Sequence, residues 1–417
     1  MKKLREMIFI VFMILPLFAD GNAFAEEPLK ININGYISQG FLLSSGNNFL
    51  AETRKGTFQF NEMGINFTTG FLDKIHLGIQ FAARDLGDVG NDKVQIDWAY
   101  ADYQFFDWFG LRAGKMKLPI GFYNKTRDID MLRTFILLPQ SVYTDNFRDM
   151  CTAMKGIGIY GVISLHRAGN VSYQASLGTT EIDREGSSSK VVNATGFFDV
   201  DKYNVGMSYN GSLIWETPIK GLRTGVTITG SKIKYNGSVT KDLVIPIPTP
   251  PYTMTIAQKG DMFKGEIPLL LLKTFSAEYT MNNLVVAAEY LRFRQEARIN
   301  MPTGYSLDMN KSNNENYYVS ASYRFADWFE FGSYYSVCYL DRKDKKGKNF
   351  NPPYSAYQKD WCATLRFDVN QRTTFKLEGH LMNGAGSCFP QDNFNAIGIP
   401  QYAKNWVLFA AKMTYNF

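Results

Sequence analysis

The feature that most constrains this chain is the rhythm of its connections. Alternating segments of roughly ten residues, the length of a tilted barrel strand, begin near Ile31, Thr57, Ile75, Val94, Leu111, Gly156, Val171 and Tyr203. They continue from Leu222, Leu269, Leu284, Tyr317, Phe331, Tyr357, Thr373 and Asn405. Short links fall at Phe71-Leu72-Asp73-Lys74, Phe106–Phe109, His166–Asn170, Glu216–Gly221, Asn282-Asn283, Ala326–Trp328 and Val369–Arg372. Between them lie longer links, among them Glu181–Lys202, Asn236–Glu266 and Asn383–Lys404. A soluble sandwich has no reason to alternate short and long links so strictly, whereas a barrel inserted from one side of a membrane does. The expected fold is all-β: a transmembrane antiparallel β-barrel of about 16 strands. Its last strand must pair with the one near Ile31, because an open edge is not tolerated in lipid.

The phase of the alternation tells which face meets lipid. In Thr373–Met382, Phe375, Leu377 and Leu381 share one phase, and Lys376, Glu378 and His380 the other. Tyr317, Val319, Ala321, Tyr323 and Phe325 likewise oppose Ser320, Ser322 and Arg324. The polar phase carries too many charges for a packed interior, so the apolar phase faces lipid and the polar phase a water-filled lumen. That reading makes Arg112, Arg324, Arg366, Lys376 and Lys412 lumen cations, and Glu62, Asp102, Glu278, Glu289 and Glu378 lumen anions. Aromatic residues collect at strand ends, as in Trp108, Phe109, Trp215, Trp328, Phe329 and Trp406, where interfacial girdles are expected.

The start of the chain reads as a secretory leader. Lys2, Lys3 and Arg5 precede a short apolar run from Ile8 to Phe18, and Ala23-Phe24-Ala25 forms a small-x-small cleavage site. The expected organisation is a signal peptide over residues 1–25 and one barrel domain over 26–417. No later segment has the ~20 consecutive apolar residues of a membrane helix. A net charge of +6 is far from the one-sided basic surface of a nucleic-acid binder. With three histidines and no metal-ligand spacing, phosphate loop or nucleophile elbow, neither an enzyme nor a cofactor is expected.

The connection between Leu118 and Lys155 has no strand period and is too charged for a buried core. Long loops of this kind are usually functional, and in a barrel such a loop can fold inward and narrow the lumen. The stretch from Lys115 to Lys155 carries Lys115, Lys117, Lys125, Arg127, Arg133, Arg148 and Lys155 against Asp128, Asp130, Asp145 and Asp149. A net positive constriction raises the local concentration of anions. Lys115, Lys117, Lys125, Arg127 and Arg133 are the expected constriction cations, and Asp128, Asp130 and Asp149 are expected to pair within the loop. Lys115 and Lys117 share the phase of Leu111 and Ala113, so turning them inward needs a bulge after Gly114. Of the four cysteines, Cys338 and Cys362 are equidistant from the loop centre near Asn349-Phe350. A hairpin symmetric about that point sets them opposite each other, within reach of a disulfide; a slip of register leaves four free thiols.

The run Arg112-Ala113-Gly114-Lys115-Met116-Lys117-Leu118-Pro119-Ile120-Gly121 resembles a motif of the Gram-negative porins, especially the phosphate-selective porin O/P family and its relatives. Ala99-Tyr100-Ala101-Asp102-Tyr103, Thr126-Arg127-Asp128 and Leu138-Pro139-Gln140-Ser141 share the likeness. The resemblance implies a sixteen-stranded barrel, a homotrimer in outer-membrane lipid and lipopolysaccharide, and a third external loop folded into the pore. It also implies that the aromatic carboxy terminus, with Tyr415 and Phe417, is read by the barrel assembly machinery. A phosphate-specific member would need a continuous ladder of lumen arginines, and the lumen charges here are mixed. The expectation is a passive diffusion channel for small hydrophilic solutes with a weak anion preference. A phosphate-specific porin, or a structural or adhesive barrel with a closed lumen, is the alternative.

Overall fold

The strand rhythm is realised in the computed structural model, which describes residues 30–71, 74–87, 89–193, 196–249, 253–395 and 400–417. The expected leader, and Leu72 and Asp73 of the first short turn, lie outside these residues. The strands are β1 (Asn32–Ser44), β2 (Phe60–Phe71), β3 (Ile75–Leu86), β4 (Gln95–Phe106), β5 (Phe109–Lys117), β6 (Ala153–Ser164) and β7 (Asn170–Thr180). Then come β8 (Phe198–Val205), β9 (Ser208–Glu216), β10 (Leu222–Val239), β11 (Leu243–Pro246), β12 (Thr253–Ala257) and β13 (Met262–Met281). The last are β14 (Leu284–Asn300), β15 (Ser306–Ala326), β16 (Phe329–Tyr339), β17 (Tyr357–Asn370), β18 (Thr373–Gly384) and β19 (Asn405–Asn416).

β8 and β9 follow one another along the same edge of β10, broken at Gly206 and Met207, and act as one stave. β11 and β12 form a separate hairpin. The remaining sheet is an antiparallel barrel of 16 staves. It closes where β1 meets β19, from Tyr36 opposite Asn416 to Ser44 opposite Leu408. The Gly35 and Phe417 amides each donate to the other's carbonyl at 3.0 Å, so pairing runs to the last residue.

The faces divide as the phase predicts. Ile33, Ile37, Ile157, Leu213, Val319, Leu381 and Phe409 stand exposed on the outer face, while Ser38, Glu62, Thr364, Lys376, Glu378 and Thr414 are buried inside. An apolar exterior around a polar interior makes this an outer-membrane barrel. At the short-turn end, Phe325, Trp328, Phe329, Phe367 and Phe375 stack ring to ring with centroids 5.4 to 6.4 Å apart. Trp406 does not join a girdle. It lies on the inward phase, 4% exposed, and its Nε1 donates to the Gly384 carbonyl.

The barrel is taller on one side. β10, β13, β14 and β15 run for 18, 20, 17 and 21 residues, beyond the 9–11 that cross a bilayer. In their upper parts the apolar phase turns inward and the polar phase outward, as Ile233 and Tyr235 of β10 are buried while Lys232 and Lys234 are exposed; β15 begins at Ser306, well before its clear period at Tyr317. The β16–β17 hairpin is centred two residues earlier than its loop suggests. Cys338 therefore faces Gln358 and Cys362 faces Tyr334, and all four cysteines are free.

Candidate functional site

The connection from β5 to β6 enters the barrel and is bound to the wall on several sides. On β14, Glu289 accepts hydrogen bonds from the Phe122 amide (2.8 Å) and from the Tyr143 hydroxyl. Wall groups Tyr318 and Ser276 donate to the same carboxylate. On β13, Glu278 accepts from Tyr123 of the loop and Arg223 of the wall. On β16, Glu330 accepts from Thr134, and on β18, Glu378 accepts the Ile136 and Leu137 amides at 2.7 and 2.9 Å. On β2, Glu62 holds Arg148 at 2.9 Å. Wall carboxylates thus satisfy backbone donors that a loop without a ladder leaves free, and charge assistance makes these bonds the stronger kind.

Wall cations grip the loop in the opposite sense. Lys376 reaches Asp130 at 2.9 Å, and Lys412 lies 2.7 Å from Glu62 and 4.0 Å from Asp130. Thr414 adds a hydrogen bond to Asp130, and Arg366 donates to the Arg133 carbonyl. At the loop's return, Arg84, Arg127 and Arg148 each approach Asp145 at 3.2 Å. Burial alone would raise the carboxyls of Asp128, Asp130 and Asp145. The surrounding ammonium and guanidinium groups outweigh it and hold all three well below the usual carboxylate range.

The expected lumen residues therefore divide. Glu62, Glu289, Lys376, Glu378 and Lys412 face inward but are buried beneath the loop. Glu278 is nearly buried with Tyr123, and Arg366 lies against the loop backbone. Arg112 and Asp102 pair at 2.6 Å, with Arg112 set between the rings of Tyr100 and Tyr160 at 4.2 and 4.8 Å. Arg324 bridges Glu330 and Asp368.

The expected constriction cations divide too. Arg127 is buried, bound to Asp145 and to the Tyr143 carbonyl. Arg133 donates to the carbonyls of Arg127, Phe135 and Ile136. Both guanidiniums pin the loop rather than face the lumen. Lys117 contacts Asp97 at 2.6 Å and Asp128. No bulge follows Gly114; the register of β5 on β6 is unbroken, and the irregularity lies on β4 at Asp97. Lys115 keeps the outer backbone phase, but its side chain bends to the Ile96 carbonyl and Glu181 and borders a lumen cavity without any bulge. Lys125 is exposed, donates to the neutral Gln174 at 2.6 Å, and has no ion pair among the described residues. Asp149 does not pair with Arg148 but accepts from Ser187 and Ser188.

Arg84, Asp97, Tyr143, Tyr318 and Glu330 were not singled out by sequence. A usable signal existed for Tyr318, an aromatic residue on the polar phase of β15.

The lumen is unevenly filled. A buried apolar cluster joins Leu118, Leu138, Val142 and Met150 of the loop to Ile233, Phe263, Leu270, Leu291 and Phe293 of the tall wall. Against the opposite wall lie two cavities. One of about 390 Å³ borders Tyr36, Glu62, Arg84, Asp97 and Lys115. The other, of about 590 Å³, borders Asn32, Thr68, His76, Tyr100, Asp102 and Arg112.

Solved structures resemble this architecture along its length. OmpF of Salmonella typhi, solved with daunomycin, superposes over 93% of this chain and 98% of its own, with TM-score 0.55 and 14% identity. The outer membrane channel DcaP of Acinetobacter baumannii covers 94% of this chain and 99% of its own, with TM-score 0.52 and 10% identity. The fold is that of the outer-membrane porins. At these identities the likeness speaks of fold alone. No family model matches the chain. An uncharacterized protein of Aquifex aeolicus is 29% identical over 112 residues, 27% of this chain and 24% of that protein, so the match spans about a quarter of that relative's length.

Proposed function

We propose that the chain is a passive diffusion channel of the outer membrane for small hydrophilic solutes, sieved by the inward loop, with a weak anion preference. The observation that carries this reading is a closed barrel with a polar lumen, crossed by a loop that wall carboxylates and lysines hold in place. Such a loop fixes a size limit, and lumen charge biases which ions enter. The anion preference rests on Lys125, which has no carboxylate partner among the described residues; burial within the barrel and the neighbouring Arg112 lower its ammonium pKa to about 8, so it still carries its charge at neutral pH. Assembly as a homotrimer belongs to the same proposal.

Reconstitution in planar bilayers tests it. Stepwise ohmic conductance is expected, and reversal potentials in a salt gradient should show chloride passing somewhat better than potassium. Lys125→Gln should move that ratio toward neutrality. A silent barrel would favour the structural or adhesive reading, and a clear cation preference would defeat the selectivity.

A further inference from the structure

We propose that β17 and β18 build a metal site beneath the constriction loop, formed by Cys362, Glu378 and His380 and suited to Zn2+. The register sets Cys362 opposite His380 and Thr364 opposite Glu378. Two cross-strand pairs on one face thus bring a thiol, an imidazole and a carboxylate together. Their ligand atoms lie within 4.8 Å of one another, and His380 Nε2 is 3.1 Å from Glu378 Oε1. An ion with Zn–S of about 2.3 Å and Zn–N and Zn–O of about 2.0–2.2 Å fits a triangle of that size after small side-chain rotations.

The surroundings are arranged as a metal site requires. His380 Nδ1 faces the Asp360 carboxylate at 3.0 and 3.2 Å, which aims Nε2 at the other two ligands. A carboxylate behind a ligating imidazole fixes its orientation and raises its basicity. Asp360 is itself held by the Tyr334 hydroxyl at 3.1 Å. The Cys362 thiol has a weak partner, the Thr364 hydroxyl at 3.5 Å, which itself donates to Glu378 at 2.6 Å. Phe135 of the loop packs against Tyr334 and Cys362 and shields the site from lumen water.

Sulfur and nitrogen ligands select a borderline transition ion over Ca2+ or Mg2+, which take oxygen. Binding exchanges protons only. The Nε2–H that bridges His380 to Glu378 and the Cys362 thiol proton leave to solvent, and no electron moves. Glu378 keeps the Ile136 and Leu137 amides on its oxygens, so the ion is tied to the loop through one residue. The site stiffens the constriction and carries no current. Spacing rules miss it because the ligands are joined across strands, with Glu378 standing 16 positions after Cys362 and a two-residue turn between the strands.

The test measures metal on the folded barrel in detergent and needs no conductance. Protein refolded with Zn2+, then desalted, should retain one ion per chain by elemental mass spectrometry and unfold at a higher temperature than protein refolded with chelator. Co2+ in place of Zn2+ should give a thiolate charge-transfer band. Cys362→Ser leaves the Glu378 bonds to the loop intact, so it should fold, lose the band and bind Zn2+ about tenfold or more weakly. Cys388→Ser and Cys151→Ser should bind like wild type. Folded wild type that retains no ion after refolding in excess Zn2+, or a Cys362→Ser variant that binds Zn2+ equally well, overturns the proposal.

Discussion

Lys376 and Lys412 have no exposed side-chain surface, and two ammonium groups so placed are tolerable only because carboxylates meet them. Lys412 has Glu62 as its main partner, but Lys376 has Asp130 as its one ion pair among the described residues, supplemented by the Asp130 and Arg133 carbonyls. Asp130→Ala should therefore cost about 3–5 kcal/mol, the range for a buried pair broken from one side. Urea unfolding in detergent would read it, and a midpoint equal to wild type would mean that water already reaches Lys376. Sequence could assign Lys376 and Asp130 to the same lumen because period two puts one on the inward phase and the loop carries the other. It could not pair them, since 246 residues separate them and the pairing depends on how the loop crosses the barrel. The same limit hid the role of Arg127, whose partner Asp145 lies on the far limb of the loop.

At the scale of elements, the strands and the inward course of the loop were legible, and the loop's path and pairings were not. Each strand that crosses lipid has one wet face and one apolar face, so its period declares it. In the first part of β15 polar residues predominate in both phases, so the contrast fades and the boundary with it. The loop has no period, and its path is set by side chains meeting the wall. Its stability has a definite pH sign. Asp128, Asp130 and Asp145 are held below the usual range in the pinned loop, so they bind protons more weakly there than when released. Their contribution is fully present above the ordinary carboxylate pKa of about 3.9 and fades as pH falls below it. Conductance and open-channel noise should therefore be unchanged from pH 7 to about 5, with loop flicker rising only below about pH 4. Single-channel recordings across that range decide it, and flicker that begins near pH 6 would assign loop control to other groups.

For the molecule as a whole, the uneven filling of the lumen locates the passage. The tall wall from β10 to β15 is occupied by the apolar cluster it shares with the loop, and such a core admits no solute. Both cavities border the opposite wall, one nearer the external loops and one nearer the short turns. Between them, Asn34 on β1, Asn66 on β2, Gln80 on β3 and Trp98 on β4 stand opposite one another in register. Trp98 is the one large side chain in that belt. Its ring lies over Gly78, where a Cβ would stand only 2.6 Å from the indole, so the indole lies along the wall and narrows the way between the cavities. Trp98→Ala should therefore raise single-channel conductance and admit larger sugars in liposome-swelling assays. Leu291→Ala, in the apolar cluster, should leave conductance unchanged and lower stability by about 2–5 kcal/mol. The two variants separate the walls: if Leu291→Ala widens the channel and Trp98→Ala does not, solutes pass along the tall side and the belt is no constriction.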